Sequence, residues 1–196
     1  MVNGKGRIIH PNGDVYEGMW FNNRTYGEGV YIKMKGARYS GEWINDKPHG
    51  WGEEIWPDGA SFVGRYENGL KHGDGTFKWA DGSLYCGEFR YNSMHGCGSL
   101  NWPNGRRFQG IWNHNKMNGK DCSFYWEDGR SYVGSYKDNL KHGSGEFKWR
   151  DGTTYRGEWH NGKQHGFGLF ITKEKLERYG QWQNGKRILW KKSLPD

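Results

Sequence analysis

A five-residue signature returns down this chain at an almost constant interval: an aromatic residue, any residue, glycine, any residue, and a second aromatic. It opens at Tyr16, Tyr39, Phe62, Tyr85, Phe108, Tyr132 and Tyr155, with a weaker copy at Arg178 that carries arginine in the first slot. The start-to-start spacing is 23 residues throughout, except for 24 between Phe108 and Tyr132. A fixed period of this size means a repeat array in which each unit leans on its neighbours, not one irregular core.

The unit from Phe62 to Leu84 shows what one copy can form. Phe62-Val63-Gly64-Arg65-Tyr66 alternates and is rich in β-formers, so it predicts a strand. Asn68-Gly69 is a strong short-hairpin signal. His72 to Trp79 predicts the return strand, and Asp81-Gly82 the turn into the next unit. Side chains alternate between the faces of a strand, so Phe62, Gly64 and Tyr66 share one face, as do Gly73, Gly75, Phe77 and Trp79. Pairing these sets lays aromatic rings over bare glycines. On this reading the glycine pairs Gly27/Gly29, Gly50/Gly52, Gly73/Gly75, Gly96/Gly98, Gly143/Gly145 and Gly166/Gly168 keep their phase because a side chain there would displace a ring. The opposite face is mostly polar (Glu42, Arg65, Glu88, Ser135, Glu158). Two apolar clusters interrupt it: Trp51 with Ile55, and Phe167 with Leu169 and Ile171. Both are candidates for a dimer contact or a docked helix, and the chain's own last segment could cover the second.

Composition agrees with an ordered array. Only 33% of the 196 residues are hydrophobic, but 17% are aromatic, with 12 Trp and 12 Tyr, and the 33 glycines are periodic. Disordered chains are poor in aromatics, and linker glycines have no phase. The formal net charge is +7. Spread over many repeats, it serves solubility and edge protection, or attraction to an acidic surface. No nucleic-acid motif accompanies it. The three cysteines do not describe a disulfide framework. Neither a signal region, a membrane-length apolar run nor a myristoylation glycine is present, so a cytoplasmic setting is expected.

Written out, the unit Tyr-x-Gly-x-Trp-x-Asn-x-x-x-His-Gly-x-Gly-x-Phe-x-Trp-x-Asp-Gly resembles the MORN repeat (membrane occupation and recognition nexus). The copies from Tyr155 through Gly168 and from Tyr39 through Gly52 carry the resemblance best. It covers about residues 3–190: a half unit at 3–15, units starting at 16, 39, 62, 85, 108, 132 and 155, and a half unit at 178–190. Residues 191–196 are a tail. The resemblance implies an all-β fold, a single-layer twisted antiparallel sheet of successive hairpins, elongated to ~70 Å over roughly fifteen strands. Two departures are expected to show. In the fifth unit Asn118-Gly119-Lys120-Asp121-Cys122 loses the second glycine and gains a residue, which predicts a bulge. In the seventh, Thr172 to Glu177 lacks the Asp-Gly turn, and pairing there is expected to weaken.

No catalytic constellation emerges. His49, His72, His95, His142 and His165 occupy one repeat position, but Tyr26 and Asn118 fill it elsewhere. Successive copies stand about 10 Å apart, too far to share a zinc ion. Cys86 and Cys97 share a face by parity without histidine support. Glu42, Glu88 and Glu158 recur with the repeat rather than forming a catalytic pair. No nucleophile elbow, phosphate loop or dinucleotide fingerprint is present. The expectation is a non-enzyme without cofactor or metal.

Three functional readings follow. The first is an interaction scaffold whose aromatic face forms a groove for a helical or extended partner segment. Its contacts would come from Tyr39, Trp43, Phe62, Tyr66, Tyr85, Phe89, Phe108, Trp112, Tyr132, Tyr136, Tyr155 and Trp159. Family resemblance implies a cytoskeletal or ciliary partner. The second is attachment to acidic phospholipid, which the family's name implies. It would use a basic stripe of Lys71, Lys78, Lys141, Lys148 and Arg150 and a C-terminal patch of Lys186, Arg187, Lys191 and Lys192. The third is self-assembly into homo-oligomers through the terminal half units, whose unpaired strands invite end-to-end pairing.

Overall fold

Each signature becomes the outgoing strand of a β-hairpin, and the residues after it become the return strand. The structure, a computed structural model, describes residues 1–191. Two compact units divide the chain, residues 1–95 and residues 96 onward. The first contains β1 (Gly4–Ile9), β2 (Val15–Phe21), β3 (Arg24–Ile32), β4 (Arg38–Ile44), β5 (Lys47–Ile55), β6 (Ser61–Glu67), β7 (Leu70–Lys78) and β8 (Leu84–Arg90). The boundary falls within β9 (Ser93–Asn101). The second unit continues with β10 (Arg107–Asn113), β11 (Lys116–Tyr125), β12 (Ser131–Lys137), β13 (Leu140–Lys148), β14 (Thr154–His160), β15 (Lys163–Ile171), β16 (Glu177–Gln183) and β17 (Lys186–Lys191). From β1 to β8, and again from β9 to β17, every strand pairs antiparallel with the next in sequence. No helix occurs among the described residues. The all-β antiparallel hairpin sheet expected from the repeat is what forms.

The turns follow from local chemistry. At the hairpin tip Asn68 and Gly69 have φ of 51° and 86°, the left-handed pair that a two-residue turn matching strand twist requires. The second tip residue also grips the preceding repeat. Asn92 donates its N–H to the Lys71 carbonyl (3.0 Å), and its Oδ1 accepts the Lys71 N–H (2.8 Å). Asp46 clasps Thr25 and Asn139 clasps Met117 in the same way. Between units, Asp81 accepts the Ser83 N–H at 2.8 Å, an Asx turn that Asp58 and Asp151 repeat.

The two glycines of each pair do different work, which corrects the single explanation expected for both. In the β6–β7 hairpin Gly64 faces Gly75 and Tyr66 faces Lys71, so His72-Gly73-Asp74 stands opposite Arg65 alone. The first glycine makes this bulge: Gly73 has φ of 72°, and its counterparts lie between 57° and 70°. The carboxylates of Glu42 and Glu158 cap such bulges by accepting the N–H of Trp51 (2.8 Å) and Phe167 (3.1 Å). The second glycine makes room for a ring. A Cβ on Gly75 would lie 2.6 Å from Phe62, and one on Gly168 2.6 Å from Tyr155.

The rings form the core. Within each unit the first-slot ring meets two fifth-slot rings edge-on. Phe62 stands 5.3 Å from Tyr66 at 89° and 5.0 Å from Phe89 at 85°, while Tyr132 stands 5.3 Å from both Tyr136 and Trp159. These T-shaped contacts suit the ring quadrupoles. Polar ring atoms are satisfied locally. The Tyr39 hydroxyl donates to the Glu42 carbonyl (3.0 Å), and the Trp43, Trp112 and Trp159 indoles donate to the carbonyls of Gly29, Gly98 and Gly145.

The fifth unit carries the expected bulge. Pairing of β11 with β12 slips between Gly119 and Cys122, with Asp121 at φ of 54°, and the buried Cys122 takes the second glycine's place opposite Gly134. The seventh unit departs from expectation. Thr172 to Leu176 closes with the same two backbone hydrogen bonds as the Asp-Gly turns, and β15 pairs with β16 without a slip. Trp79, expected at the end of the return strand, instead begins the inter-unit turn.

Lys175 occupies the glycine position of that atypical turn at φ of 67°. Lysine in the left-handed region is strained. Lys175→Gly is expected to raise stability by about 1 kcal/mol. Urea denaturation followed by tryptophan fluorescence measures it, and an unchanged midpoint would contradict the strain.

Candidate binding face

Within each unit the rings expected to meet a partner share one face of the strands, but each of the twelve is at most 7% exposed. They are consumed in holding the sheet, so a partner resting on this face meets other side chains. Those are chiefly the turn tryptophans, which alternate with a row of return-strand phenylalanines of which Phe124 and Phe147 are themselves buried. In the second unit the rows interleave as Trp102, Phe124, Trp126, Phe147, Trp149 and Phe170. Successive ring centroids are 4.3 to 6.2 Å apart, and Trp190 follows at 6.1 Å. The tryptophans of this row are half-buried and so remain accessible. The first unit carries a shorter version, Trp56, Phe77 and Trp79, around a notch of about 450 Å³. The sequence reading placed Phe77 and Trp79 on the ring face but did not name this row; the 23-residue recurrence of turn tryptophans was the signal.

Two lysines stand inside this face. Lys71 and Lys141 hold the same repeat position, directly across from Tyr66 and Tyr136. The Lys71 ammonium lies 4.9 Å from the Trp56 ring centroid, 5.1 Å from Phe62 and 5.6 Å from Tyr66. Lys141 lies 4.3 Å from Phe147, 4.5 Å from Trp159, 5.3 Å from Tyr132 and 5.6 Å from Trp126. Ring faces attract a cation, more so where water is excluded. The two cages differ in one respect. Lys71 donates to the Glu54 carboxylate at 3.0 Å, and the Tyr66 hydroxyl donates to the same oxygen at 3.1 Å. Beside Lys141 the equivalent of Glu54 is Phe124, and no carboxylate among the described residues lies within salt-bridge distance of Lys141. Burial, with Arg130 adding to it, pushes the Lys141 ammonium down to about 8. Burial and Glu54 push the Tyr66 phenol above its ordinary value; burial first, then Tyr132 and Cys122, does the same at Tyr136.

The expected basic stripe does not form as one surface. Lys71 and Lys141 point among the rings, whereas Lys78 and Lys148 are exposed on the opposite face, and Arg150 lies in a turn. A seven-residue step along a strand changes face, which sets 71 and 78 apart. Arg187 stacks on Trp190 (4.2 Å), Lys191 lies over Phe167 (4.5 Å), and Lys186 is exposed. Lys192 lies outside the described residues. Trp51 is exposed beside Ile55, with Arg65 5.7 Å from its ring. A hollow of about 810 Å³ on the face away from the rings holds both charge signs, Lys5, Arg7 and Arg38 with Glu17 and Glu28. Cys86 and Cys97 are exposed thiols. Among the described residues no group of three or more His, Cys, Asp or Glu side chains could hold a metal ion, and no helix is long and apolar enough to cross a membrane.

Hairpins of nearly constant length, glycine bulges recurring with the repeat and a ring ladder in each unit define a β-hairpin repeat protein. The chain belongs to the MORN-repeat family: the model of the MORN repeat matches residues 16–38, 39–61, 62–84, 85–106, 108–129, 132–154 and 155–173. No curated protein matches it. Among solved structures, the G-box domain of the microcephaly protein CPAP is similar at 13% identity and a TM-score of 0.50, over 92% of this chain and 99% of that one. The TCP domain of Drosophila melanogaster SAS-4, solved with a proline-rich motif of Ana2, shows 10% identity and a TM-score of 0.48 over 91% and 90%. At such identities the likeness concerns the fold alone.

The Lys141 shift has a definite sign. Its folded value lies below the ordinary 10.5, so between pH 8 and 10.5 the folded chain binds fewer protons than the unfolded one. Wild-type stability relative to Lys141→Met is therefore lowest below pH 8 and rises through that window. At pH 7 the methionine variant is expected to melt higher by roughly 2–4 °C, a difference that shrinks by pH 10. Thermal unfolding at both pH values checks this, and a pH-independent difference would contradict it.

Proposed function

We propose that this chain is a non-enzymatic scaffold that binds an extended segment of a partner protein along the tryptophan row of its ring face. The carrying observation is the accessible turn tryptophans Trp102, Trp126 and Trp149, half-buried along a row in which Phe124 and Phe147 are buried between them. Aromatic side chains offer large contact areas at small entropy cost. Turn residues have no ladder role that demands tryptophan, which makes these indoles available for recognition. Family resemblance directs the search toward a cytoskeletal or ciliary partner in the cytoplasm. Phospholipid attachment has less support, because the basic residues divide between two faces.

Trp126→Ser combined with Trp149→Ser removes two accessible rings and leaves the first- and fifth-slot core whole. The double variant is expected to keep its strand circular dichroism and lose at least about tenfold in partner affinity, in line with the loss of two interface anchors. Pull-down of cytoskeletal proteins followed by titration of the captured partner measures it. Full retention of binding would place the contact elsewhere.

A further inference from the structure

Lys141 sits in an aromatic cage with no acidic partner, and its relative three repeats earlier shows what completes such a cage. At Lys71 the chain supplies its own carboxylate. Glu54 accepts from the Lys71 ammonium (3.0 Å) and from the Tyr66 hydroxyl (3.1 Å), with the Lys71 and Glu54 side chains only 13% and 18% exposed. At Lys141 the same two donors recur. Tyr136 faces Lys141 across the β12–β13 pair as Tyr66 faces Lys71, and neither the Tyr136 hydroxyl nor the Lys141 ammonium has a hydrogen-bond acceptor among the described residues. The nearby guanidinium of Arg130 is paired with Asp128 (2.8 Å) and adds positive potential. A notch of about 290 Å³ opens at Lys141, walled by Phe147, Trp149 and Trp159 and bordered by Lys163, Gln164 and the backbone of Gly162 and Gly185.

We propose that this notch is a receptor for the carboxylate of an Asp or Glu side chain carried by an extended partner segment, with apolar neighbours of that residue lying on Trp126 and Trp149. This deepens the scaffold reading and rests on it. A half-buried cation without a counter-ion is costly, and bringing one charge-assisted hydrogen bond to it is favourable and selective. Charge complementarity commits the occupant: the notch has aromatic walls and two lysines, Lys141 and Lys163, with no carboxylate in its lining, and the chain's own Glu54 demonstrates the matching ligand chemistry in the sister cage. Lys71 is saturated, so of the two caged lysines only Lys141 is left to take an acid from a partner. That contact fixes the register of the bound segment.

Short randomised peptides are selected by display on the full chain and on Lys141→Met. Methionine already stands at this repeat position as Met94 and Met117, so the variant suits the sheet. Circular dichroism verifies its fold, and Lys141→Gln serves as a second variant. Peptides selected on the wild type are expected to share one acidic residue flanked by apolar ones. Changing that residue from Glu to Gln is expected to weaken wild-type binding about tenfold or more and to leave Lys141→Met binding unchanged. Peptides that bind the wild type with no acid preference would overturn the carboxylate receptor and leave the scaffold reading standing. Failure to select any peptide would overturn both. Lys141-dependent capture on phosphatidylserine vesicles, with no acid preference among peptides, would assign the cation to lipid and overturn the proposal.

Discussion

An aromatic ring resting on a backbone that has no side chain beneath it is the contact from which the rest of this structure follows. Tyr16, Tyr39, Phe62, Tyr132 and Tyr155 each cover a pair of glycines on adjacent strands, so close that a Cβ on either would lie under 3.0 Å from ring or backbone atoms, while Phe108 covers Gly110 beside Cys122. Rings set this low can turn their edges to the rings on either side, and a ladder results in each unit. That ladder replaces the second layer with which most sheets cover their apolar face. The glycine bulge belongs to the same arrangement. It lets three return-strand residues stand opposite one, and because the slip is even it returns Lys71 or Lys141 to the ring face.

Function on this face is consequently displaced outward. The innermost rings are spent on cohesion, and recognition passes to what borders them: the turn tryptophans and the second residue after the hairpin tip. That last position varies along the array as Thr25, Pro48, Lys71, Met94, Met117, Lys141, Gln164 and Arg187. Neighbours in the array can therefore share a scaffold and differ in what they hold. Lys71 has met its carboxylate internally, and Lys141 keeps its charge available.

The sheet, its hairpins, the ring face and the bulge of the fifth unit were legible because period, glycine phase and Asn-Gly or Asp-Gly pairs are local signals. What escaped was not local. Burial of the twelve named rings depends on edge-on contacts between successive repeats, so a row that reads as a platform in one dimension becomes a core in three. The bulge hides from strict alternation, since nothing in His72-Gly73-Asp74-Gly75 announces that two residues drop out of register. Grouping Lys71 with Lys78 failed because the repeat phase was followed where strand parity decides. The turn at Thr172 to Leu176 held because Lys175 accepts a strained φ that composition alone would assign to glycine.

A double-mutant cycle joining Gly145→Ala to Tyr132→Leu tests the ring-on-glycine contact most directly. Gly145 does not have a left-handed φ, so alanine there strains nothing but the space under the ring. With Tyr132 present the alanine is expected to cost about 1–3 kcal/mol, and with leucine at 132 it is expected to cost far less, a coupling of at least about 1 kcal/mol. Strictly additive losses in urea denaturation would mean that the ring does not rest on Gly145, and the account of this core would be wrong.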